Sequence, residues 1–203
     1  MDASKRGPEA AGAAAPIFLL VGGPAVGKST TSRALAARFG KSVHVPVDDL
    51  REMVVAGLNL PNPDWGEELV RQIALARGVA IGMALDYAAA GFAVVIDDFY
   101  DPRGLVEYRA LLGRPTTHPV LLYPTPDEAR RRHAARSGGG PGGASIDAVV
   151  SHAYSALTPV VGRLEREGWL VLDTTRMSVD ATVAAILEHA RLLRPGASPT
   201  AEA

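Results

Sequence analysis

Gly22-Gly23-Pro24-Ala25-Val26-Gly27-Lys28-Ser29 is a complete Walker A sequence, set directly after the apolar run 17–21 and directly before the helix-favouring stretch 30–39. No other feature narrows the fold as far, because a phosphate cradle needs a buried strand on one side and a helix on the other. Gly22 and Gly27 let the backbone turn where a Cβ would clash, so that successive N–H groups point inward with the positive end of the helix dipole behind them. In such a loop Lys28 bridges the β- and γ-phosphates and the Ser29 hydroxyl ligates Mg²⁺. Gly22, Gly23, Pro24, Ala25, Val26, Gly27, Lys28, Ser29 and Thr30 are therefore the expected nucleotide-binding residues, with ATP and Mg²⁺ as cofactors. The alternative is a plain glycine-rich β–α turn.

The chain alternates strand-like and helix-like segments. Apolar runs at 43–47, 92–96, 119–123 and 169–172 join 17–21 as candidate strands, each apolar on both faces as parallel strands covered by helices are. Asp49 is placed to cap a helix with Glu52 at its N3 position, Pro126 to open another, and Ser178 to cap the last, while Pro159 should break or kink the helical region 146–167. A three-layer α/β fold follows, with ligands at the carboxyl ends of its strands. The 203 residues, 47% hydrophobic and 21% charged, fit one soluble domain, expected over 16–194 between loose tails at 1–15 and 195–203. Lys5 and Arg6 ahead of the run 10–21 imitate a signal peptide, but Pro16 interrupts that run and it leads straight into the phosphate loop. No membrane association is expected, and the reading is cytoplasmic. A net charge of −1 supplies no global field for a long nucleic acid, and the absence of cysteine removes disulfides, cysteine–zinc sites and thiol nucleophiles.

Two strand ends carry carboxylates. Asp48 closes the run 43–47 on the edge of the sheet that holds the phosphate loop, where it would accept the proton of an acceptor hydroxyl as that oxygen attacks the γ-phosphorus. Its other reading is a helix-entry residue making a local turn. Arg51 either holds an anionic substrate group or is a solvated residue of the first helical turn. The second strand end, Ala93-Val94-Val95-Ile96-Asp97-Asp98, has the form of a Walker B element about 70 residues after the Walker A. Asp97 is the expected Mg²⁺ residue, acting through the ion's water shell, and Asp98 either caps a turn or contacts substrate. Tyr100 and Arg103 follow and are candidates for the acceptor cleft, and Trp65 either lines that pocket or packs a helix.

A basic run, Arg130-Arg131-Arg132-His133-Ala134-Ala135-Arg136, precedes a Gly/Pro stretch at 137–143. Arg132 and Arg136 share a helix face, as the arginines of a lid closing over ATP would. A solvated basic helix and a small nucleic-acid patch are the alternatives. The five histidines show no metal-ligand spacing and read as packing or surface residues.

The Walker A loop, the Val47-Asp48 strand end, the Val95-Ile96-Asp97-Asp98 strand and the final Leu172-Asp173-Thr174-Thr175 together resemble the P-loop kinases of the nucleoside-monophosphate-kinase-like group. Within it the chain is most similar to chloramphenicol phosphotransferase, with gluconate kinase, zeta toxins and polynucleotide kinase further off. The resemblance implies a five-stranded parallel sheet of order 2-3-1-4-5, a mobile lid at about 127–145, and transfer of the ATP γ-phosphate to a hydroxyl of a small molecule, with antibiotics among the candidates. It also makes Thr174 and Thr175 candidates for adenine contact and gives an aspartate at the position of Asp48 the role of base. Two other functions share these motifs, a nucleic-acid 5′-hydroxyl kinase and a P-loop ATPase acting as a regulatory switch.

Overall fold

The computed structural model describes residues 15–60, 65–100, 105–137 and 143–192. Strands β1 (Ile17–Gly22), β2 (Ser42–Pro46), β3 (Ala93–Phe99), β4 (Thr117–Leu122) and β5 (Leu170–Leu172) form one parallel sheet in the order β2-β3-β1-β4-β5, the order the resemblance implies. Helices α1 (Lys28–Ala36), α2 (Val47–Glu52), α3 (Glu67–Ala89), α4 (Arg109–Leu112), α5 (Pro126–Ser137), α6 (Gly143–Leu157), α7 (Val161–Arg166) and α8 (Val179–Leu192) supply the connections and cover the sheet.

The period-2 geometry of a strand divides the core in two. Ile17, Leu19 and Val21 of β1 face one layer with Val94 and Ile96 of β3, and Ala76, Ala80, Ala84 and Ala88 of α3 pack there. Those alanines recur every fourth residue, so a narrow stripe of small side chains lets α3 lie close against the sheet. Phe18, Leu20 and Val95 face the opposite layer, closed by Leu35 of α1 and by Val183, Ile186 and Ala190 of α8. Each fully buried side chain of this size contributes roughly 1.5–3 kcal/mol. Both faces are covered, which is why the strand sequences read as unbroken apolar runs rather than alternating ones.

α5 opens at Pro126, the Ser178 hydroxyl accepts the Ala181 N–H at 3.1 Å at the start of α8, and Pro159 falls in the break between α6 and α7, all as expected. Asp49 is a correction. β2 runs directly into α2, which begins at Val47 behind Pro46 with no side-chain cap, so Asp49 lies inside the first turn beside Asp48. Both carboxylates there interact with the helix dipole instead of capping. β3 also continues past Ile96 to Phe99, which puts Asp97 and Asp98 within the strand. The expected lid is helical at both ends, α5 through Ser137 and α6 from Gly143, and the Gly/Pro residues 138–142 between them lie outside the described residues, as do 1–14 and 193–203. Among the described residues no helix is long and apolar enough to cross a membrane.

Candidate active site

The loop between β1 and α1 has the geometry a phosphate demands. A Cβ at Gly22 would stand 2.7 Å from the Leu122 carbonyl oxygen and 2.9 Å from Val26 Cγ2. Gly27, the residue before α1, has φ 98°, and Ala25 has φ 59°. Alternation of left- and right-handed backbone turns successive N–H groups toward one concavity, which suits an anion. Ala25 is a surprise, since it adopts at some cost a conformation that glycine accepts freely. Lys28 Nζ donates to Gly23 O at 2.9 Å and Gly22 O at 3.4 Å, so the ammonium sits over the loop. Gly22→Ala is expected to destabilise the protein by about 1–3 kcal/mol, because the obstacle is backbone in a packed strand, and to weaken nucleotide binding with it. Urea denaturation and ADP titration of the variant check both effects.

Arg132, on the face of α5 that meets this loop, donates from Nη1 to Val26 O at 2.8 Å and from Nη2 to Thr174 O at 2.6 Å. It bridges the phosphate loop and the turn after β5. Glu128 accepts its Nε–H at 2.7 Å, and the hydrogen bonds from Arg131 and Arg132 hold the Glu128 carboxyl down to about 2, ionised across the ordinary pH range. Arg132, Gly27, Thr30, Thr174 and Thr175 line one open cleft of about 580 Å³ at the N-terminus of α1. The Thr175 hydroxyl accepts the Thr125 N–H at 2.8 Å and donates to Asp173 at 2.5 Å, tying two edge loops together. Arg136 lies in α5, and its side chain is outside what is described; Arg103 lies outside the described residues altogether.

On the other side of β1, alternation along β3 separates the paired aspartates. Asp97 shares a face with Val95, the α1 side, and its carboxylate meets His44 Nε2 at 3.0 Å across the β2–β3 pair. Asp98 points the opposite way into the α3 layer, fully buried. It accepts Arg77 Nε–H at 2.7 Å, Tyr108 O–H at 3.1 Å and the Phe99 N–H at 2.8 Å. Arg77 is itself fully buried and donates further to Glu107 at 3.0 Å and to Phe99 O at 3.3 Å. Burial opposes its charge, but Asp98 outweighs that and holds the guanidinium above its ordinary value; burial likewise pushes the Tyr108 phenol up. With its oxygens engaged and no exposed surface, Asp98 is not available to substrate, and the expected contact there gives way to a structural one.

Asp48 sits in the first turn of α2 with its side chain 59% exposed, 3.8 Å from Arg51 Nη1. Arg51 is buried, not solvated. Trp65 holds the left-handed φ of 45°, an outlier for a bulky residue, and its ring packs 6.1 Å from that of Phe99. Tyr100 donates its N–H to Gly22 O at 3.3 Å, yet its buried ring borders a separate groove of about 270 Å³ with Leu164 and Trp169, between α4 and α7. Sequence reasoning missed Arg77, Tyr108, Glu128 and the part played by His44. The one available signal was a single arginine adjoining the Ala76–Ala80 stripe.

Among the described residues no cluster of three or more metal-ligating side chains stands ready for an ion. The donors present, one hydroxyl at Ser29 and one carboxylate at Asp97, fit Mg²⁺, which keeps most of its waters and takes the rest of its ligands from nucleotide phosphates.

A phosphate loop of this form on a parallel 2-3-1-4-5 sheet defines a P-loop nucleotide-binding domain with a kinase-type fold. The chain belongs to the AAA_33 family, whose model, described as an AAA domain, matches residues 17–160. Among solved structures it is similar to a shikimate kinase from Acinetobacter baumannii in complex with shikimate, at 17% identity over 86% of this chain and 92% of that one, TM-score 0.59. A gluconokinase from Sinorhizobium meliloti 1021 shares 16% identity over 89% and 94%, TM-score 0.58. The tunicamycin resistance protein of Deinococcus radiodurans shares 16% over 86% and 94%, TM-score 0.58. No curated protein sequence matches the chain. Likenesses at these identities establish the fold.

Proposed function

We propose that the protein is an ATP-dependent kinase that transfers the γ-phosphate to a hydroxyl of a small molecule, with antibiotics among the acceptors, and that it works in the cytoplasm, where ATP is supplied. The observation that carries this reading is the convergence on one sheet edge of a phosphate loop, an arginine docked across it and an exposed carboxylate at the end of β2. Lys28 and the loop amides stabilise charge on the transferring phosphoryl, where positioning and electrostatics supply most of the catalysis. Ser29 and Asp97 would hold Mg²⁺, which neutralises phosphate charge when bound, and His44 fixes the orientation of Asp97. Arg132, with Arg136 one turn further along α5, closes on the donor. Thr174 and Thr175 border the space for adenine. Asp48 takes the acceptor proton.

The test is ADP release by the purified protein with Mg²⁺ and ATP, alone and with a panel of hydroxyl-bearing antibiotics, sugars, nucleosides and a 5′-hydroxyl oligonucleotide. Stimulation by one acceptor, with a mass gain of one phosphate on it, establishes the activity; hydrolysis indifferent to the whole panel rejects it. Asp48→Asn is expected to lower kcat about 10²- to 10⁴-fold while leaving ADP affinity unchanged, as loss of a general base does. A variant with full turnover would remove Asp48 from the mechanism.

A further inference from the structure

The 23-residue helix α3 is uncharged nearly all round. Between Arg71 and Asp86 its only charged residue is Arg77, and that side chain is buried against Asp98. A helix of this composition belongs in an interior. Yet Arg71, Leu75, Gly78, Val79, Gly82 and Asp86, which share one side of the helix at three- and four-residue spacing, are all exposed. Where a surface helix turns charge to water, four turns of α3 present Leu75 at 56% exposure, Val79 at 52% and two glycines.

This seam is complementary to its own reverse. Lay an antiparallel copy against it, turned about an axis midway between residues 78 and 79. Each Val79 then meets the partner's Gly78, each Leu75 the partner's Gly82, and each Arg71 the partner's Asp86. Large side chains fall opposite glycines, and opposite charges meet at both ends. Nothing lies within 4 Å of a Cβ built at Gly78 or Gly82, so both positions are open to a side chain from outside. The charges are also available. Arg71 spends Nε and Nη2 on Glu68, which leaves Nη1, and Asp86 makes no ion pair among the described residues.

A standard interface covers roughly 800 Å² per partner, more than one helix seam supplies. The neighbouring segment 53–60 widens this one. Gln72 of α3 donates to Gly57 O at 2.8 Å and accepts the Asn59 N–H at 2.9 Å, so the segment is fixed beside the seam. Its Met53, Val54, Val55 and Leu60, with Leu75 and Val79, are six of the ten large apolar side chains exposed among the described residues. Single exposed apolar residues need no explanation, whereas a fixed cluster of them marks an interaction surface.

We propose that the protein is a two-fold dimer in which α3 packs antiparallel against α3 of a second copy, with segment 53–60 at the flank of the interface. A two-fold contact needs one surface that fits itself, and the Arg71-to-Asp86 seam is such a surface. The proposal stands apart from the phosphoryl chemistry, since no residue of the seam belongs to the nucleotide cleft.

Sedimentation velocity of the full chain from about 1 to 200 μM should show a monomer–dimer equilibrium. Val79→Glu puts two carboxylates beside the axis and should raise the dissociation constant at least about a hundredfold. Val79 is half exposed, and an unchanged circular dichroism spectrum shows that the variant folds. Arg71→Glu and Asp86→Arg should each weaken the dimer at least about tenfold, because like charges then meet at both ends. An equimolar mixture of those two variants should dimerise as tightly as the parent, since every charge pair across the interface is again opposite. A monomer at every concentration overturns the proposal. So does a dimer indifferent to Val79→Glu, which places the contact on another face, and so does a mixture of the charge variants that stays monomeric, which rules out the antiparallel register. Flotation of a monomeric chain with phosphatidylcholine vesicles, lost in Val79→Glu, also overturns it and gives the face to a lipid surface.

Discussion

Arg77→Ala is expected to destabilise the protein by about 3–5 kcal/mol, the range for removing one partner of a buried ion pair. The cost is electrostatic more than steric. Alanine leaves Asp98 fully buried with only the Tyr108 hydroxyl and the Phe99 N–H, and leaves Glu107 facing a cavity. Burial already pushes the Asp98 carboxyl up, and removing Arg77 removes the largest force opposing that rise. The carboxyl of the variant should therefore fold protonated, a group with a raised folded value, whose stability is present at low pH and lost as pH rises. Urea denaturation at pH 5 and pH 8 checks both points: the deficit relative to the parent should be larger at pH 8. Replacing both residues, Arg77→Met with Asp98→Leu, should recover part of the loss, because the fully buried carboxylate is then gone while Glu107, 17% exposed, still lacks its partner. A deficit below about 1 kcal/mol for Arg77→Ala, within the range of surface changes, would show that the pair is hydrated.

Lys28→Ala is expected to lower kcat/KM for phosphoryl transfer by about 10³-fold, roughly 4 kcal/mol of transition-state stabilisation. Nothing else described in the loop carries a positive charge, and Arg132, docked on the loop, has its donors on Val26, Thr174 and Glu128. Folding should be little changed, since Gly22 and Gly23 lose only a partly solvated partner. Lys28→Arg should restore little, because a planar fork cannot stand in for a compact ammonium at the end of a flexible stem. Single-turnover transfer from ATP measures the effect, and a fall of less than tenfold would place the transferring group elsewhere.

Much of the fold was legible in the chain because its signals are local. Period-free apolar runs, a glycine pattern at one turn, Pro126 and Ser178 at helix starts and Pro159 at a break each depend on residues within one turn or strand. Asp49 was misread for the same reason: the Asp49–Glu52 spacing fits a capping box, but β2 enters α2 with no intervening loop, so the helix starts three residues earlier.

The chain by itself determined that there is a phosphate loop, that parallel strands lead to it, and that Asp48 follows one strand while Asp97 and Asp98 belong to the last residues of another, since sequence distance sets those relations. What only the tertiary structure decided is which of these groups is free to act. The pleat of β3 sends Asp97 to His44 on one face and Asp98 to Arg77 on the other. The packing of α3 satisfies Arg77, while the fold around α2 buries Arg51 beside Asp48, 3.8 Å away. Whether a charge is neutralised depends on groups within a few ångströms in space, and neighbours such as Asp97 and His44 stand 53 residues apart in the chain.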